Sequence, residues 1–442
     1  MNENCAEVSA GKARQGRHYK LICSGCGTRY SDDGLILDCP ADHPPALLRT
    51  DYSASSFSPS PNRDDLFRYR EWLPVTAIRG AAPRPRVYRS RGLAGALALP
   101  NLWIAFNGYW PEGGACFETS TFKDLEAYTV LNRLPEEHVV LTVASSGNTG
   151  AAFAWACSQE QKPCLLMVPE KGLRRLRFRA STDPCVKLVS IVDGDYPDAI
   201  RLASSVSRLP FLYAEGGVKN VGRRDGLGTV LLSAFEEMNR LPSHYFQAVG
   251  SGTGAIGVLE AAKRIANGTD GAFSLPRLML CQNLPFTPIY DAWRMNLTAL
   301  SDTVEQRYRA AIEEVHADEL TNFTPPYAIR GGVYDSLVES GGDVLVADNT
   351  AVRAALEMFL EVEGIDIEPA AGVAVACLRA AVREGRVPPE SAVLLNVTGG
   401  GRHRLAREHD LVPAEPQLRV SRSSITSGRA VHQVAELCSA LV

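Results

Sequence analysis

The chain has 442 residues, of which 45% are hydrophobic and 22% are charged, and its formal net charge is −4 at pH 7. This length and composition predict a globular protein of about two domains with a large buried core. The small negative charge argues against a protein whose main partner is nucleic acid.

The amino-terminal residues 1–16 are polar and lack the apolar stretch of a secretory signal peptide. No uninterrupted apolar run approaches the roughly 18 residues that a membrane-spanning helix needs. We therefore expect a cytoplasmic protein that has no membrane partner. The 11 cysteines are scattered and odd in number, which argues against a disulfide framework.

Residues 18–52 are predicted to form a small unit that is similar to a zinc ribbon. Cys23 and Cys26 are followed, after twelve residues, by Cys39 and His43, which is a spacing typical of zinc ribbons. Thiolates and an imidazole would form a closed tetrahedral site, so we predict a structural zinc ion without a catalytic role. The alternative is a metal-free remnant of such a site.

Residues 53–65 are rich in Ser and Pro and are predicted to be a linker. In residues 66–410 short apolar strands alternate with helices. The clearest strands are predicted at residues 139–143, 164–168, 186–192, 246–249 and 392–397. This alternation predicts an α/β fold with a parallel sheet that is covered on both faces and binds ligands at the carboxyl ends of its strands. Residues 411–442 are predicted to be a tail, of which residues 430–441 form a short helix.

Lys123 lies between Phe122 and Asp124 at the start of a predicted amphipathic helix. A lysine that forms a Schiff base with pyridoxal 5′-phosphate (PLP) must be partly desolvated, so that its amine is often neutral. The aromatic neighbour favours such a site. The alternative is a surface lysine at a helix start, with Asp124 as an N-terminal helix charge.

A polar turn follows the strand at 139–143 and opens a helix. Its hydroxyl groups and backbone N–H groups are suited to bind an anion, here a substrate carboxylate. Asn148 can donate a hydrogen bond to the phenolic oxygen of a PLP ring. The alternative is an ordinary helix N-cap. The predicted substrate-binding residues of the turn are Ser145, Ser146 and Thr149.

A glycine-rich loop follows the strand at 246–249. Glycines let the backbone approach a phosphate closely at the positive end of a helix. The predicted phosphate-binding residues are Gly250, Ser251, Gly252, Thr253 and Gly254. A Gly-x-Gly-x-x-Gly frame at 252, 254 and 257 leaves a dinucleotide site as an alternative, but no early βαβ unit frames it. A plain tight turn is the other alternative.

Thr398 ends the last predicted strand, in Asn-Val-Thr-Gly-Gly-Gly at 396–401. It is placed to face the pyridine nitrogen of a bound PLP. A neutral hydroxyl does not enforce protonation of that nitrogen as a carboxylate would, which favours loss of a β-substituent over transamination. A strand-ending glycine turn without a ligand is the alternative.

The four segments occur in the order lysine, Ser/Asn turn, glycine loop and Thr/Gly turn. In this order they resemble the tryptophan synthase β (fold-type II) family of PLP-dependent enzymes, and most nearly its threonine synthase branch. Within that branch residues 18 to about 410 resemble the cysteate synthases. The most specific matches are Tyr-Lys-Leu-Ile-Cys-Ser-Gly-Cys at 19–26 and Leu-Asn-Val-Thr-Gly-Gly-Gly at 395–401.

The resemblance implies two three-layer domains, each built around a parallel sheet, with a smaller subdomain at roughly residues 125–235. It also implies that Lys123 carries PLP and that Asn148 and Thr398 bind it. The family usually has a second cysteine pair at its metal site, where this chain offers His43.

Members of this family make L-cysteate from O-phospho-L-serine and sulfite, through an α-aminoacrylate and with release of phosphate, in a route to coenzyme M. The resemblance therefore implies a β-replacement enzyme whose partners are a phosphoamino acid and an anionic nucleophile. Other readings are a threonine synthase-like reaction on a γ-phosphorylated homoserine, a different nucleophile such as sulfide, and a non-catalytic protein of the same fold. By analogy with other fold-type II enzymes, a homo-oligomer is expected.

Two further basic features stand outside this pattern. Five cations follow the strand at 164–168 and are interpreted as a solvated helix face rather than an anion site: Lys171, Arg174, Arg175, Arg177 and Arg179. Arg330 is a weaker candidate for an anion-binding arginine near the substrate.

Overall fold

A computed structural model describes residues 17–136, 139–145 and 147–438. The prediction for residues 1–16 and the assignment of Ser146 to the substrate site concern residues outside these ranges. In the described ranges no helix is long and apolar enough to cross a membrane.

The strands are short and follow one another in chain order. They are β1 (Tyr19–Cys23), β2 (Arg29–Tyr30), β3 (Leu48–Tyr52), β4 (Arg86–Arg89), β5 (Leu102–Phe106), β6 (Tyr109–Trp110), β7 (Ala115–Cys116), β8 (Val140–Ala144), β9 (Cys164–Pro169), β10 (Arg177–Phe178), β11 (Val186–Val192), β12 (Leu212–Ala214), β13 (His244–Ala248), β14 (Arg277–Asn283), β15 (Asp343–Ala347), β16 (Val393–Val397), β17 (Val412–Pro413) and β18 (Leu418–Ser421).

The helices alternate with these strands. They are α1 (Gly92–Leu97), α2 (Lys123–Arg133), α3 (Asn148–Glu160), α4 (Tyr196–Val206), α5 (Val221–Met238), α6 (Thr253–Gly268), α7 (Pro288–Arg294), α8 (Val304–Tyr308), α9 (Ala311–Glu314), α10 (Val333–Ser340), α11 (Asn349–Glu363), α12 (Pro369–Arg383), α13 (Arg402–Glu408), α14 (Arg422–Thr426) and α15 (Arg429–Cys438). Short 3₁₀ helices cover Leu66–Trp72, Pro111–Gly113, Glu170–Arg175, Gly217–Lys219 and Asp318–Leu320.

Two parallel sheets form the main body of the protein. The smaller sheet has the order β12-β8-β9-β11-β18, and the larger has the order β15-β14-β13-β16-β5-β4, in which only β4 is antiparallel. Neighbouring residues of β13 pack into different hydrophobic cores. Tyr245 belongs to the core that includes α5 and α6, whereas Phe246 belongs to the core that includes α12. Each sheet is therefore buried on both faces, as continuous apolar strands require.

The smaller sheet is covered in the same way. Leu166 of β9 belongs to the core shared with α2 and α3, and its neighbour Leu165 packs with α4 and α15. Each sheet thus lies between two helical layers. The predicted three-layer α/β architecture is present in both sheets.

The carboxyl-terminal segment differs from the predicted separate tail. Its strand β18 pairs in parallel with β11 at the edge of the smaller sheet, and α15 packs on α4 through Ala430 and Val434. Arg and Ser residues obscure the apolar alternation of this strand in the sequence. The helix predicted at residues 430–441 is present as α15 up to Cys438, and the last residues lie outside the described ranges.

Two predictions about local packing also differ from the structure. Helix α2 is buried all round rather than amphipathic, and its polar side chains have internal partners. The predicted linker at 53–65 is packed, because the ring of Phe57 contacts those of Tyr69, Trp72 and Phe235.

The ribbon unit packs on the main body. Its strands have the order β2-β1-β3, with antiparallel pairing, and Thr50 and Tyr52 of β3 both donate hydrogen bonds to Asp225 of α5. Arg224 of the same helix donates to the Leu48 carbonyl. The ribbon is thereby fixed to the helix that borders the site described next.

Candidate active site

A cavity of about 520 Å³ lies at the carboxyl ends of both parallel sheets. Strand β8 ends before Ser145, β13 before the glycine loop and β16 before Thr398. These turns and the start of α2 line the same cavity. The structure thus brings together all the predicted cofactor and substrate residues that it describes, namely Lys123, Ser145, Asn148, Thr149, Gly250, Ser251, Gly252, Thr253, Gly254 and Thr398.

Lys123 is the first residue of α2, and its side chain is 19% exposed. Its Nζ atom lies 5.0 Å from the centre of the Phe122 ring and 3.3 Å from Glu126 Oε2. Burial lowers the pKa of the Lys123 amine below its ordinary value, while the Glu126 carboxylate opposes that shift. The partial desolvation predicted for this lysine is present.

Glu126 was not singled out from the sequence, although it lies three residues after Lys123 on the same helix face. Its side chain is fully buried and accepts hydrogen bonds from Thr149 Oγ1 at 3.0 Å and from Lys123. Arg223 of α5 lies 3.0 Å from Glu126 Oε1 and also pairs with Glu215. Two cations and two carboxylates therefore alternate at the base of the cavity.

Asn148 begins α3 and points its amide at Glu368, with 3.1 Å between Nδ2 and Oε2. Its Oδ1 atom is buried without a partner among the described residues. Burial raises the pKa of Glu368, and Arg402 and Arg175 oppose the shift. The second hydrogen on Asn148 Nδ2 remains available for a ligand oxygen, as the sequence interpretation requires.

Ser145 has a local structural role in its turn. Its Oγ atom accepts hydrogen bonds from the N–H groups of Gly147, at 3.0 Å, and of Gly150, at 2.7 Å. This is the helix-capping alternative considered from the sequence. The hydroxyl hydrogen of Ser145 can still be donated, so capping and anion binding are compatible.

The glycine loop leads into the N-terminus of α6, where the first N–H groups have no partner within the helix. Gly252 has φ +77°, and a Cβ on Gly254 would lie 2.9 Å from Gln247 Nε2. The loop is a compact cradle of N–H groups at a helix N-terminus, which fits a phosphate. Gly257, the last residue of the dinucleotide-like frame, lies where α5 packs closely on α6 against the Arg224 carbonyl. Helix packing accounts for that glycine.

Thr398 is buried, and its carbonyl accepts the N–H of Phe122 at 2.9 Å. The neighbouring Gly399 forms a β-bridge with Thr121. The last strand of the larger sheet is in this way joined to the residues just before Lys123. The hydroxyl of Thr398 and the amine of Lys123 line one cavity.

The other basic candidates are distributed differently. Arg175 lines the cavity and pairs with Asp318, whereas Lys171 and Arg179 pair with carboxylates on the surface. Arg330 lies outside the cavity, in a separate groove beside the ribbon, where it pairs with Asp335. The structure therefore does not place Arg330 near the substrate site.

The four predicted metal ligands converge. The ligand atoms of Cys23, Cys26, Cys39 and His43 all lie within 4.8 Å of one another. His43 Nδ1 lies 2.7 Å from the Pro44 carbonyl, while Nε2 faces the cysteines, 3.3 Å from Cys23 Sγ, and is the nitrogen that can bind a metal. The hydroxyl of Thr28 lowers the pKa of the Cys26 thiol to about 6, which favours the thiolate form that binds metals. Three thiols and one imidazole in this arrangement fit a zinc ion.

Comparison with known proteins adds to this geometry. The family model for "Pyridoxal-phosphate dependent enzyme" matches residues 115–399. A cysteate synthase of Methanoculleus marisnigri is 44% identical over 93% of this chain and 95% of its own length. The chain belongs to the cysteate synthase family of PLP-dependent enzymes. A second member, from Methanosarcina barkeri, is 41% identical over 90% of this chain and 96% of its own length.

Solved structures with little sequence similarity support the fold. Maize serine racemase superposes with a TM-score of 0.54 at 18% identity and covers 73% of this chain and 92% of its own. Threonine deaminase isoform 2 of Solanum lycopersicum gives 0.53 at 16% identity, with 83% and 97% covered. The predicted fold-type II architecture and the predicted PLP cofactor of this cysteate synthase family member are confirmed. The roles of its individual residues stay predictions.

Proposed function

We propose that the protein catalyses a β-replacement that converts O-phospho-L-serine and sulfite to L-cysteate and phosphate. The observation that carries the proposal is the single cavity that holds Lys123, the Ser/Asn turn, the glycine loop and Thr398. Relatives named cysteate synthase match the chain over nearly its whole length, which supports this choice of reaction.

The residues present fit a bound PLP. Lys123 would hold its aldehyde carbon, the glycine loop its phosphate and Asn148 its phenolic oxygen, while Thr398 would face its pyridine nitrogen. When bound, PLP withdraws electrons from the α-carbon of an attached amino acid, so that the α-hydrogen becomes acidic and a β-substituent can leave. The cradle of N–H groups in residues 250–254 and the free hydrogen on Asn148 Nδ2 are the donors that such a ligand would use.

Lys123 is the proposed general base. Once the substrate amine has replaced it, its neutral amine takes the α-proton and later returns it to the same carbon. A desolvated site suits this role, because burial lowers the pKa of the Lys123 amine. Glu126 Oε2, which lies 3.3 Å from Nζ in this structure, can then accept a hydrogen bond from the positively charged lysine.

The phosphate that leaves and the sulfite that arrives are both anions. The cavity lining includes Arg175, Lys219 and Arg223, but Arg175 and Arg223 are each held by two carboxylates. Lys219 pairs with Asp38, and both side chains are more than 40% exposed, so an incoming anion can displace this ion pair at little cost. We propose that Lys219 attracts the anionic substrates.

We also propose that the cluster of Cys23, Cys26, Cys39 and His43 holds a structural zinc ion. Its four donors leave no open position for a substrate, and it lies apart from the cavity around Lys123. Its expected contribution is therefore to the stability of the ribbon.

The reaction is tested by incubating the purified PLP-loaded protein with phosphoserine and one nucleophile at a time. Sulfite, sulfide and no nucleophile form one series, phosphohomoserine with water forms a second, and products are identified by mass. Cysteate formed only with sulfite, together with one equivalent of phosphate, is the expected result. Threonine from phosphohomoserine, with no turnover of phosphoserine, would contradict the proposal.

A further inference from the structure

Glu126 connects three helices by contacting three residues that line the cavity. Its Oε2 accepts from Lys123 of α2, and its Oε1 contacts both Thr149 Oγ1 of α3 and Arg223 of α5, each at 3.0 Å. The carboxylate is fully buried, so water does not replace any of these partners. The loss of one partner therefore strengthens the interaction of the carboxylate with the other two.

The contact from Thr149 can be lost during the reaction. A threonine hydroxyl has one hydrogen, and in this structure it is donated to Glu126. Thr149 also lies in the turn that we assign to the substrate carboxylate. A bound substrate carboxylate and Glu126 therefore compete for the hydroxyl hydrogen of Thr149. When Thr149 donates to the substrate instead, Glu126 becomes a stronger acceptor for Lys123.

We propose that Glu126 is a positioning residue that receives Lys123 after the substrate amine displaces it, and that the substrate carboxylate strengthens this hold through Thr149. This inference rests on the proposed role of Lys123. The proton balance is closed: the α C–H bond breaks, its proton forms an N–H bond on Lys123, and the same proton returns to the α-carbon after the nucleophile has added. Glu126 accepts a hydrogen bond throughout.

The charges around Glu126 limit how far its carboxylate raises the pKa of Lys123. Arg223 opposes the effect of Glu126 on the pKa of Lys123, and Glu215 in turn pairs with Arg223. The phenol of Tyr196, on α4, also faces this cluster, and burial raises its pKa. Lys123 and Glu126 of α2, Arg223 of α5, Glu215 and Tyr196 are thus the titratable groups that decide the charge state of the lysine nitrogen.

The test follows the visible absorbance of the lysine-bound cofactor in the PLP-loaded protein as the pH is raised, without substrate. Glu126→Gln removes the negative charge beside the lysine nitrogen, so the midpoint at which this nitrogen loses its proton is expected to fall by about one pH unit or more. We expect kcat to fall about tenfold or more, with a smaller change in KM for phosphoserine, because Glu126 lies behind the residues that line the cavity.

Glu160→Gln is the matched control. Glu160 is also a poorly exposed carboxyl, at the end of α3, but its partner is Asn132 rather than Lys123. The same chemical change there is expected to leave the midpoint in place. An unchanged midpoint in a folded Glu126→Gln protein, or equal shifts in both variants, overturns the proposal.

Thr149→Val tests the coupling on its own and covers the case in which Glu126→Gln does not fold. Without the hydroxyl donor, no hydrogen bond from Thr149 offsets the negative charge of Glu126. The pH midpoint at which the lysine nitrogen loses its proton is therefore expected to rise in this variant. In the Glu126→Gln background the same substitution is expected to have no effect on the midpoint. A midpoint that does not rise in Thr149→Val overturns the coupling, whichever amino acid the enzyme uses.

These titrations need neither phosphoserine nor sulfite. A protein that shows the expected shifts but makes no cysteate would refute the proposed reaction and leave the role of Glu126 intact. A wild-type protein whose cofactor is not attached to Lys123 would contradict both.

Discussion

Arg133, which ends the helix that Lys123 begins, forms a two-pronged ion pair with Asp32 of the ribbon. The distances are 2.9 Å from Nε to Oδ2 and 2.8 Å from the second nitrogen to Oδ1, and the two side chains are 1% and 0% exposed. Tyr19 donates to the same carboxylate, and Asn220 accepts from Arg133. The ribbon is in this way bound to the far end of the proposed catalytic helix.

Asp32→Asn is expected to destabilise the folded protein strongly. Burial alone would raise the pKa of Asp32, but Arg133 holds it below its ordinary value, so the pair is ionised. The substitution leaves a buried guanidinium without its counter-ion, which costs about 3–5 kcal/mol. Urea unfolding at pH 7 measures this change in the free energy of unfolding.

Glu313→Gln provides the matched control for that substitution. Glu313 pairs with Lys171, but their side chains are 73% and 81% exposed, so the loss is expected to be within about 1 kcal/mol. Similar small losses for both variants would show that the ion pair of Asp32 and Arg133 does not anchor the ribbon.

The metal cluster is expected to hold about one zinc ion per chain. Cys26→Ser removes a thiolate ligand, so zinc content after gel filtration should fall and the ribbon should become less stable. Cys116→Ser is the control, because Cys116 is exposed and lies outside the cluster. Equal zinc content in wild type and Cys26→Ser would contradict the assignment of these ligands.

Thr398→Asp is expected to lower the rate of cysteate formation about tenfold or more. A carboxylate at this buried position would favour protonation of the cofactor nitrogen. It would also add a negative charge close to Glu368, because Glu368 Oε2 lies 2.8 Å from the position that a Cβ on the next residue, Gly399, would occupy. Thr398→Ser keeps the neutral hydroxyl and should retain most activity. Comparable rates in both variants would refute the role of a neutral partner.

Glu160 gives a pH-dependent contribution to stability. Burial raises its pKa to about 7 from an ordinary 4.5, with the hydrogen bond from Asn132 opposing the shift. The folded state therefore binds a proton more tightly than the unfolded state, and this stabilisation is full below pH 4.5 and is lost as the pH rises to about 7.

Glu160→Gln does not titrate and keeps the acceptor for Asn132. Relative to wild type, its free energy of unfolding is expected to improve between pH 5 and pH 8 by about 1–3 kcal/mol. Urea unfolding at these two pH values measures the difference. If the variant and the wild type differ in free energy of unfolding by the same amount at pH 5 and at pH 8, the pKa of Glu160 is not raised by folding.

Much of the fold could be predicted because the strands that border the cavity are short apolar runs that end in a turn of Gly, Ser or Thr. The strand at residues 139–143 was predicted within one residue of β8, and the turn after it enters the cavity. Strand β18 was missed because exposed Arg and Ser residues interrupt its apolar positions and its partner β11 is more than two hundred residues away.

The predicted cofactor residues, which line one cavity, were recognisable because each belongs to a local motif that follows a strand or begins a helix. The charges that surround Lys123 were not, because they come from distant parts of the chain. Glu368 contacts Asn148 although the two residues are 220 positions apart in the sequence, and Arg223, which contacts Glu126, belongs to another helix. Only Glu126 had a local signal, namely its position one helical turn after the lysine.

The attachment of the cofactor to Lys123 is the central claim, and it can be measured directly. The PLP-loaded protein is reduced with borohydride, digested and examined by mass spectrometry for the lysine that carries the phosphopyridoxyl group. The expected result is a single modified peptide that contains Lys123, together with loss of the visible absorbance in Lys123→Ala. A label on another lysine, or an unchanged absorbance in that variant, would contradict the claim.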